Sequence, residues 1–150
     1  MYRRYNECTV YEFNGTDSQK WFLRNNNDGI YTFYIRLGAD THYRDALDIA
    51  DSNNENCVNV QIYTPNGTNA QRFKLQETTY HSWVIYTEVS NFNKAIVFNG
   101  LEYYNGRNVD QYTFQGHLNE AWLLEPVDYF FKMRVSYASY NALTYCQVFH

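Results

Sequence analysis

Short stretches of the chain alternate between apolar and polar residues. Residues 33–37 (Phe-Tyr-Ile-Arg-Leu) place an apolar side chain at every second position, and residues 47–49 and 60–62 do the same. This period of two is typical of a strand with one buried face. No stretch shows a sustained helical period with capping residues at its ends. The pattern therefore predicts an all-β chain of short strands separated by turns.

One sequence pattern occurs three times, with Tyr at its third position, Gly at its seventh, an aromatic residue at its thirteenth and Leu at its end. Its copies are residues 9–23, 61–75 and 110–124. A second pattern, in which one strand-like segment of five residues leads to another of the same length, also has three copies. These are residues 33–49, 83–98 and 131–145. Such repetition indicates several copies of one supersecondary unit.

Together the two patterns form three units of four short strands each. The first unit is split between the chain ends (residues 128–150 plus 1–25), the second spans residues 26–78, and the third spans residues 79–127. Three such units can close into a small barrel with a hairpin cap, which leaves no free sheet edge. We therefore predict a single β-trefoil domain over residues 1–150.

The chain ends interrupt the first unit between its second and third strands. That unit is complete only if the two ends of a chain meet. The sequence is consistent with a circular permutation within one chain or with strand exchange between chains in an oligomer. We favour the permutation because one chain already contains every strand.

Two short motifs carry a family resemblance. Gln19-Lys-Trp21 and Gln71-Arg-Phe73 resemble the Gln-x-Trp motif of ricin B-chain-type β-trefoil lectins, a family that includes carbohydrate-binding modules of bacterial glycanases. The second unit is the most similar, and the resemblance covers nearly the whole chain. It implies a sugar-binding protein in which the motif Gln is mainly structural and the motif aromatic fills the core.

The resemblance also implies where a sugar would bind. In this family an Asp on the second strand of a unit accepts hydrogen bonds from two sugar hydroxyls, and an aromatic residue on the third strand stacks on the sugar ring. In the second unit these residues are Asp48 and Tyr63, with Gln61 and Asn69 as candidate polar helpers. A carboxylate gives charge-assisted bonds to two donors, and a flat aromatic ring matches the C–H face of a sugar. The family often has Asn three residues before the motif aromatic, where this chain has Ala70.

The other two units retain less of this pattern. The third unit has Tyr112 at the platform position but Val97 at the acceptor position, where a hydrocarbon side chain accepts no hydrogen bond. Asp110 replaces its polar helper. The first unit has Tyr11 as the platform and Thr144 as the acceptor, and we expect a weaker carbohydrate site there because a hydroxyl is a poorer acceptor than a carboxylate.

Composition argues against several other function classes. The net charge of −4 gives no basic face for nucleic acid, and no apolar run is long enough to insert into a membrane. The four His residues share no metal-ligand spacing, and the three Cys residues (Cys8, Cys57 and Cys146) fit no zinc pattern and can form at most one internal disulfide. No nucleophile elbow, phosphate loop or pair of carboxylates in a glycosidase arrangement is present. We therefore expect no metal, no cofactor and no catalytic residues.

The function most consistent with these sequence features is that of a lectin whose partners are glycans or glycoconjugates. It would act alone or as the targeting module of a toxin or glycanase, and galactose or N-acetylgalactosamine is the commonest ligand in the family. The alternative is a trefoil that does not bind sugar and acts as a protein-interaction or protease-inhibitor module, since a fold alone does not determine function. The N-terminal residues lack a secretory signal sequence, although the resemblance implies a secreted or extracellular protein.

Overall fold

The computed structural model describes residues 7–36, 45–79, 81–98, 104–117, 120–135 and 141–145. These ranges contain strands and short 3-10 turns. The strands are β1 (Cys8–Glu12), β2 (Trp21–Asn25), β3 (Ile30–Ile35), β4 (Ala46–Ile49), β5 (Val58–Tyr63), β6 (Phe73–Glu77), β7 (Trp83–Thr87), β8 (Lys94–Phe98), β9 (Arg107–Thr113), β10 (Trp122–Val127), β11 (Phe130–Val135) and β12 (Asn141–Tyr145).

Six of these strands form a closed ring. The antiparallel pairs follow one another as β2–β3, β3–β6, β6–β7, β7–β10, β10–β11 and β11–β2. The other six strands pair as the hairpins β4–β5, β8–β9 and β12–β1. Each unit thus supplies two ring strands and one hairpin, and the predicted all-β trefoil is confirmed.

The hairpin of the first unit is made from the two ends of the chain. β1 and β12 are antiparallel, from Cys8 opposite Tyr145 to Glu12 opposite Asn141. β1 also pairs with β9 of the third unit, where Val10 lies opposite Arg107. The pairing of the chain ends that the repeat requires is therefore present in a single chain.

The aromatic residues at the thirteenth position of the repeat lie in the core. Trp21, Phe73 and Trp122 are fully buried. The indole Nε1 of Trp21 donates a hydrogen bond to the carbonyl oxygen of Leu143 at 3.2 Å, and that of Trp122 donates to the carbonyl oxygen of Ile96 at 3.0 Å. Each bond connects the last strand of a unit to the second strand of the same unit, so the motif aromatic fastens the ring to the hairpin.

The burial pattern differs from the sequence prediction at two positions. Alternation placed Tyr34 and Asp48 on a polar face, but both side chains are buried. Tyr34 is covered in part by Phe22, whose ring centroid lies 6.4 Å away. Asp48 is enclosed by hydrogen-bonding side chains from β5 and from the loop that follows β5. The face opposite the barrel core is therefore partly covered in the second unit.

The pairing of β1 with β12 leads to a prediction about the state in solution. We expect a monomer whose chain ends pair with each other, because one chain satisfies both edges of this hairpin. Light scattering coupled to size-exclusion chromatography over a dilution series measures the mass. An obligate dimer at every concentration would favour strand exchange and contradict the permutation.

Candidate functional site

Three of the four predicted site residues come together on the β4–β5 hairpin. Asp48 lies directly opposite Gln61, and Ala46 lies opposite Tyr63. Because alternate residues of a strand point to the same face, Asp48, Gln61 and Tyr63 share one face of the hairpin. The Gln61 side-chain amide donates from Nε2 to Asp48 Oδ1 at 3.0 Å.

The fourth predicted residue, Asn69, is not part of the β4–β5 hairpin. It is exposed at the start of the 3-10 turn Asn69–Gln71, and the second amide beside Asp48 belongs to Gln71. Gln71 Nε2 donates to Asp48 Oδ2 at 3.0 Å and to the carbonyl oxygen of Thr64 at 2.9 Å, while its Oε1 accepts from the backbone N–H of Asn66 at 2.9 Å. The motif glutamine thus holds the loop in place, as the family resemblance implies, and also fixes the carboxylate.

The two central residues of this face differ in exposure. Tyr63 is 50% exposed, whereas Asp48 is only 5% exposed. Burial raises the pKa of the Asp48 carboxyl above its ordinary value, the hydrogen bonds from Gln61 and Gln71 act in the opposite direction, and the charge of Asp51 raises the pKa further. An ionised carboxylate offers about four lone-pair positions, so two amide donors leave acceptor capacity for a ligand.

A polar pocket of about 280 Å³ adjoins this carboxylate. One wall comes from the β2–β3 hairpin and the other from the loop and 3-10 turn between β5 and β6. Gln71 lines the pocket and donates to Asp48, so the two features are contiguous. The remaining lining residues are Arg24, Asn26, Thr32, Tyr34, Pro65, Asn66, Gly67 and Arg72.

The corresponding place in the third unit is filled with apolar side chains. Its cluster comprises Val84, Ala95, Val97 and Ala121, with Tyr86, Tyr112 and Phe114 packed against them. Val97 stands where the second unit has Asp48, and Ala121 stands where it has Arg72. The rings of Tyr86 and Phe114 meet edge to face with centroids 5.5 Å apart. This apolar packing fills the place that the polar pocket occupies in the second unit.

The first unit differs again. Its platform residue, Tyr11, is exposed, and Thr144 lies in β12, although its side chain is outside the described residues. Nearby, Lys132 Nζ lies 4.4 Å from the centroid of the Phe13 ring and 3.7 Å from a carboxylate oxygen of Glu125. Charged side chains that contact one another therefore occupy the place of the second unit's pocket.

The structure adds little support for other chemistry. Within the described ranges, no group of three or more His, Cys, Asp or Glu residues is arranged to hold a metal ion. In the same part of the chain, no helix is both long enough and apolar enough to cross a membrane. Cys8 is buried and Cys57 is exposed, while Cys146 lies outside the described residues.

Sequence reasoning missed Gln71 as a partner of Asp48 and missed the residues of the pocket wall. Gln71 belongs to a recognised motif, but its hydrogen bond to Asp48 joins positions 23 residues apart. Arg24 and Thr32 belong to a neighbouring hairpin that no motif connects to Asp48. The contrast with the third unit appears in the strand register: Thr32 lies opposite Arg24, and apolar Val84 holds the same place opposite Gln76.

The pKa shift of Asp48 gives a prediction about stability. A carboxyl whose pKa is higher in the folded protein binds its proton more tightly there than in the unfolded chain. The free energy of unfolding of the wild type, relative to Asp48→Asn, should therefore fall as the pH rises from below 3.8 through the raised pKa. Urea denaturation of both proteins across this range measures the difference. If the free energy of unfolding of the wild type instead rises with pH relative to that of Asp48→Asn, the raised pKa of Asp48 is contradicted.

The chain matches one protein family and several solved structures. The model of the family "ricin-type beta-trefoil lectin domain-like" matches residues 17–112, well over half of the chain. A comparison with curated protein sequences returns no match.

Several solved structures share the fold. The designed three-fold symmetric protein ThreeFoil is 27% identical, with a TM-score of 0.70 over 78% of this chain and 79% of that chain. An exo-β-1,3-galactanase from Clostridium thermocellum is 18% identical, with a TM-score of 0.60 over 88% of this chain and 28% of that chain. The Polyporus squamosus lectin bound to the epitope Neu5Acα2-6Galβ1-4GlcNAc is 10% identical, with a TM-score of 0.53 over 81% of this chain and 49% of that chain. The family match and the trefoil architecture show that this chain belongs to the ricin-type β-trefoil lectin domain-like family.

Proposed function

We propose that this domain is a lectin without catalytic activity and that it binds a sugar at Asp48 and Tyr63 of the second unit. The observation that carries the proposal is a carboxylate held in a fixed position by two amides, on the same hairpin face as a half-exposed tyrosine ring. Membership of a lectin-type domain family supports the same conclusion.

The geometry suggests a division of roles within the site. The exposed face of Tyr63 would stack on the C–H face of a sugar, which requires little loss of side-chain freedom. Asp48 would accept hydrogen bonds from sugar hydroxyls through the lone pairs that Gln61 and Gln71 leave unused. Both amides already orient the carboxylate, so the acceptor has a fixed position before a sugar binds.

A galactose-type sugar is the ligand that we propose first. Two structural neighbours support this choice. One is an exo-β-1,3-galactanase, and the other, the Polyporus squamosus lectin, was determined with a bound epitope that contains galactose. Galactose and N-acetylgalactosamine are also the ligands that the family resemblance implies.

The three units also bear on affinity. One polar pocket beside a carboxylate, with the third unit filled, gives a weak site, so useful affinity would come from several domains acting together. We therefore propose that the domain works outside the cell as a targeting module, either in several copies or within a larger protein. The galactanase neighbour is an example of a longer chain, because this chain spans 28% of its length.

Substitution of Tyr63 tests the proposed platform. Tyr63→Ala should weaken binding on a glycan array by about tenfold, because it removes the stacking surface. Tyr63→Phe retains the ring and should bind nearly as well as the wild type. Tyr104→Ala is the matched control, because Tyr104 is similarly exposed, at 55%, and lies away from the β4–β5 hairpin.

Two outcomes would count against the proposal. Equal binding by Tyr63→Ala and the wild type would exclude this platform, and unaltered binding by Asp48→Asn would exclude the acceptor. If the wild type binds no glycan on the array, the trefoil that acts as a protein-interaction or protease-inhibitor module becomes the better explanation.

A further inference from the structure

Two guanidinium groups line the pocket beside Asp48, and they differ in their partners. Arg72 is already paired, with Nε 3.0 Å from a carboxylate oxygen of Glu88 and a terminal nitrogen 2.6 Å from a carboxylate oxygen of Asp28. Arg24 is exposed, and no ion pair connects it to any carboxylate among the residues that the structure describes. No Asp or Glu lines the pocket itself, so its mouth has one cation that is not neutralised by a contact.

A buried hydroxyl adds a second donor to this pocket. Thr32 is only 7% exposed, and its Oγ1 accepts a hydrogen bond from Asn26 Nδ2 at 3.0 Å. Its own hydroxyl hydrogen has no acceptor within the described part of the chain. The pocket thus presents a guanidinium and a hydroxyl hydrogen, both of which can donate to a ligand. The oxygens of a carboxylate or a sulfate accept without donating, and they bind such groups with charge-assisted strength.

Among the described residues, the strand pairs equivalent to Arg24 and Thr32 are Gln76 with Val84 and Glu125 with Lys132, so this pair of donors is particular to the second unit's pocket. Arg24 lies in the last strand of the first unit. The equivalent residue is Gln76 in the last strand of the second unit and Glu125 in the last strand of the third. The ring therefore accepts a neutral or an acidic side chain at this position and does not require an arginine. Arg24→Gln copies a residue that the same fold already carries and should leave the structure intact.

We propose that this pocket binds an anionic group, a carboxylate or a sulfate carried by the bound sugar, and that Arg24 and Thr32 are its specificity-determining residues. The inference rests on the proposed lectin function and defines the charge of its ligand. The pocket adjoins Asp48 through Gln71, and the proposal requires a sugar on Tyr63 to extend a substituent or a second residue into it. Ligands that are acidic sugars or sulfated sugars share this chemistry.

The test compares one galactose-containing oligosaccharide in three forms: neutral, sulfated, and with a uronic acid at its end. Wild-type protein should bind at least one anionic form about tenfold more tightly than the neutral form, and added salt should reduce this preference. Arg24→Gln should lose the preference and still bind the neutral form. Lys74→Gln, which removes the same charge from an exposed position on β6 outside the pocket, should retain the preference.

Equal binding of all three forms by the wild type would overturn the inference, and so would an unchanged preference in Arg24→Gln. A preference for only one of the anionic forms would identify the group, carboxylate or sulfate, that the pocket accepts.

Nuclear magnetic resonance separates failure of this inference from failure of the proposed function. Labelled protein is titrated with glucuronate, galactose 6-sulfate and galactose, and two side-chain amides are followed. Asn26 reports on the pocket, whereas Gln61 reports on Asp48. Shifts at Asn26 with an acid but not with galactose support the inference. Shifts at Gln61 alone overturn the anion pocket and leave the lectin proposal standing, and the absence of shifts at both overturns both.

Discussion

Closure of the six-stranded ring is the constraint on which the rest of this structure depends. Each ring strand must pair on both sides, so all three units have to supply the same backbone at the same spacing. The buried aromatic residues Trp21, Phe73 and Trp122 meet this requirement in the core. The hairpin that joins the two chain ends is part of the same requirement, because without β1 and β12 one unit would lack its cap.

With the paired strands fixed by closure, the units differ in their side chains and in the loops between strands. The same place on the three hairpins is a polar pocket beside a carboxylate in the second unit, a packed apolar cluster in the third, and a set of contacting charged residues in the first. Burying the carboxylate of Asp48 is unfavourable, and the hydrogen bonds from Gln61 and Gln71 offset part of that cost. The polar site is therefore retained against a cost that its apolar counterpart avoids.

Much of the fold was predictable from the sequence because closure of the ring requires similar strands in each unit, and these appear as a repeated sequence pattern. The alternation of apolar residues and the three aligned copies of Gly and the motif aromatic gave the strands, the trefoil and the split first unit. The shared face of Asp48, Gln61 and Tyr63 was also predictable, since residues at alternate positions of paired strands face the same way.

The surroundings of the site were less predictable, because they depend on contacts between units and between loops. Asp48 is enclosed in part by the side-chain amide of Gln71, which is 23 residues away in the sequence. One wall of the pocket comes from Arg24 and Thr32, which lie on a different hairpin. The position of Asn69 also depends on the local loop structure. Its sequence position is one residue from the family's usual asparagine, but the 3-10 turn leaves it exposed to solvent.

The apolar cluster of the third unit has a consequence for how this protein could change over time. Restoring an acceptor there by Val97→Asp alone would bury a charge beside the buried carboxylates Asp110 and Glu120, without the amides that hold Asp48. Several substitutions would have to arrive together before any of them was tolerated. The packed third unit therefore cannot acquire a buried acceptor like Asp48 through a change at Val97 alone.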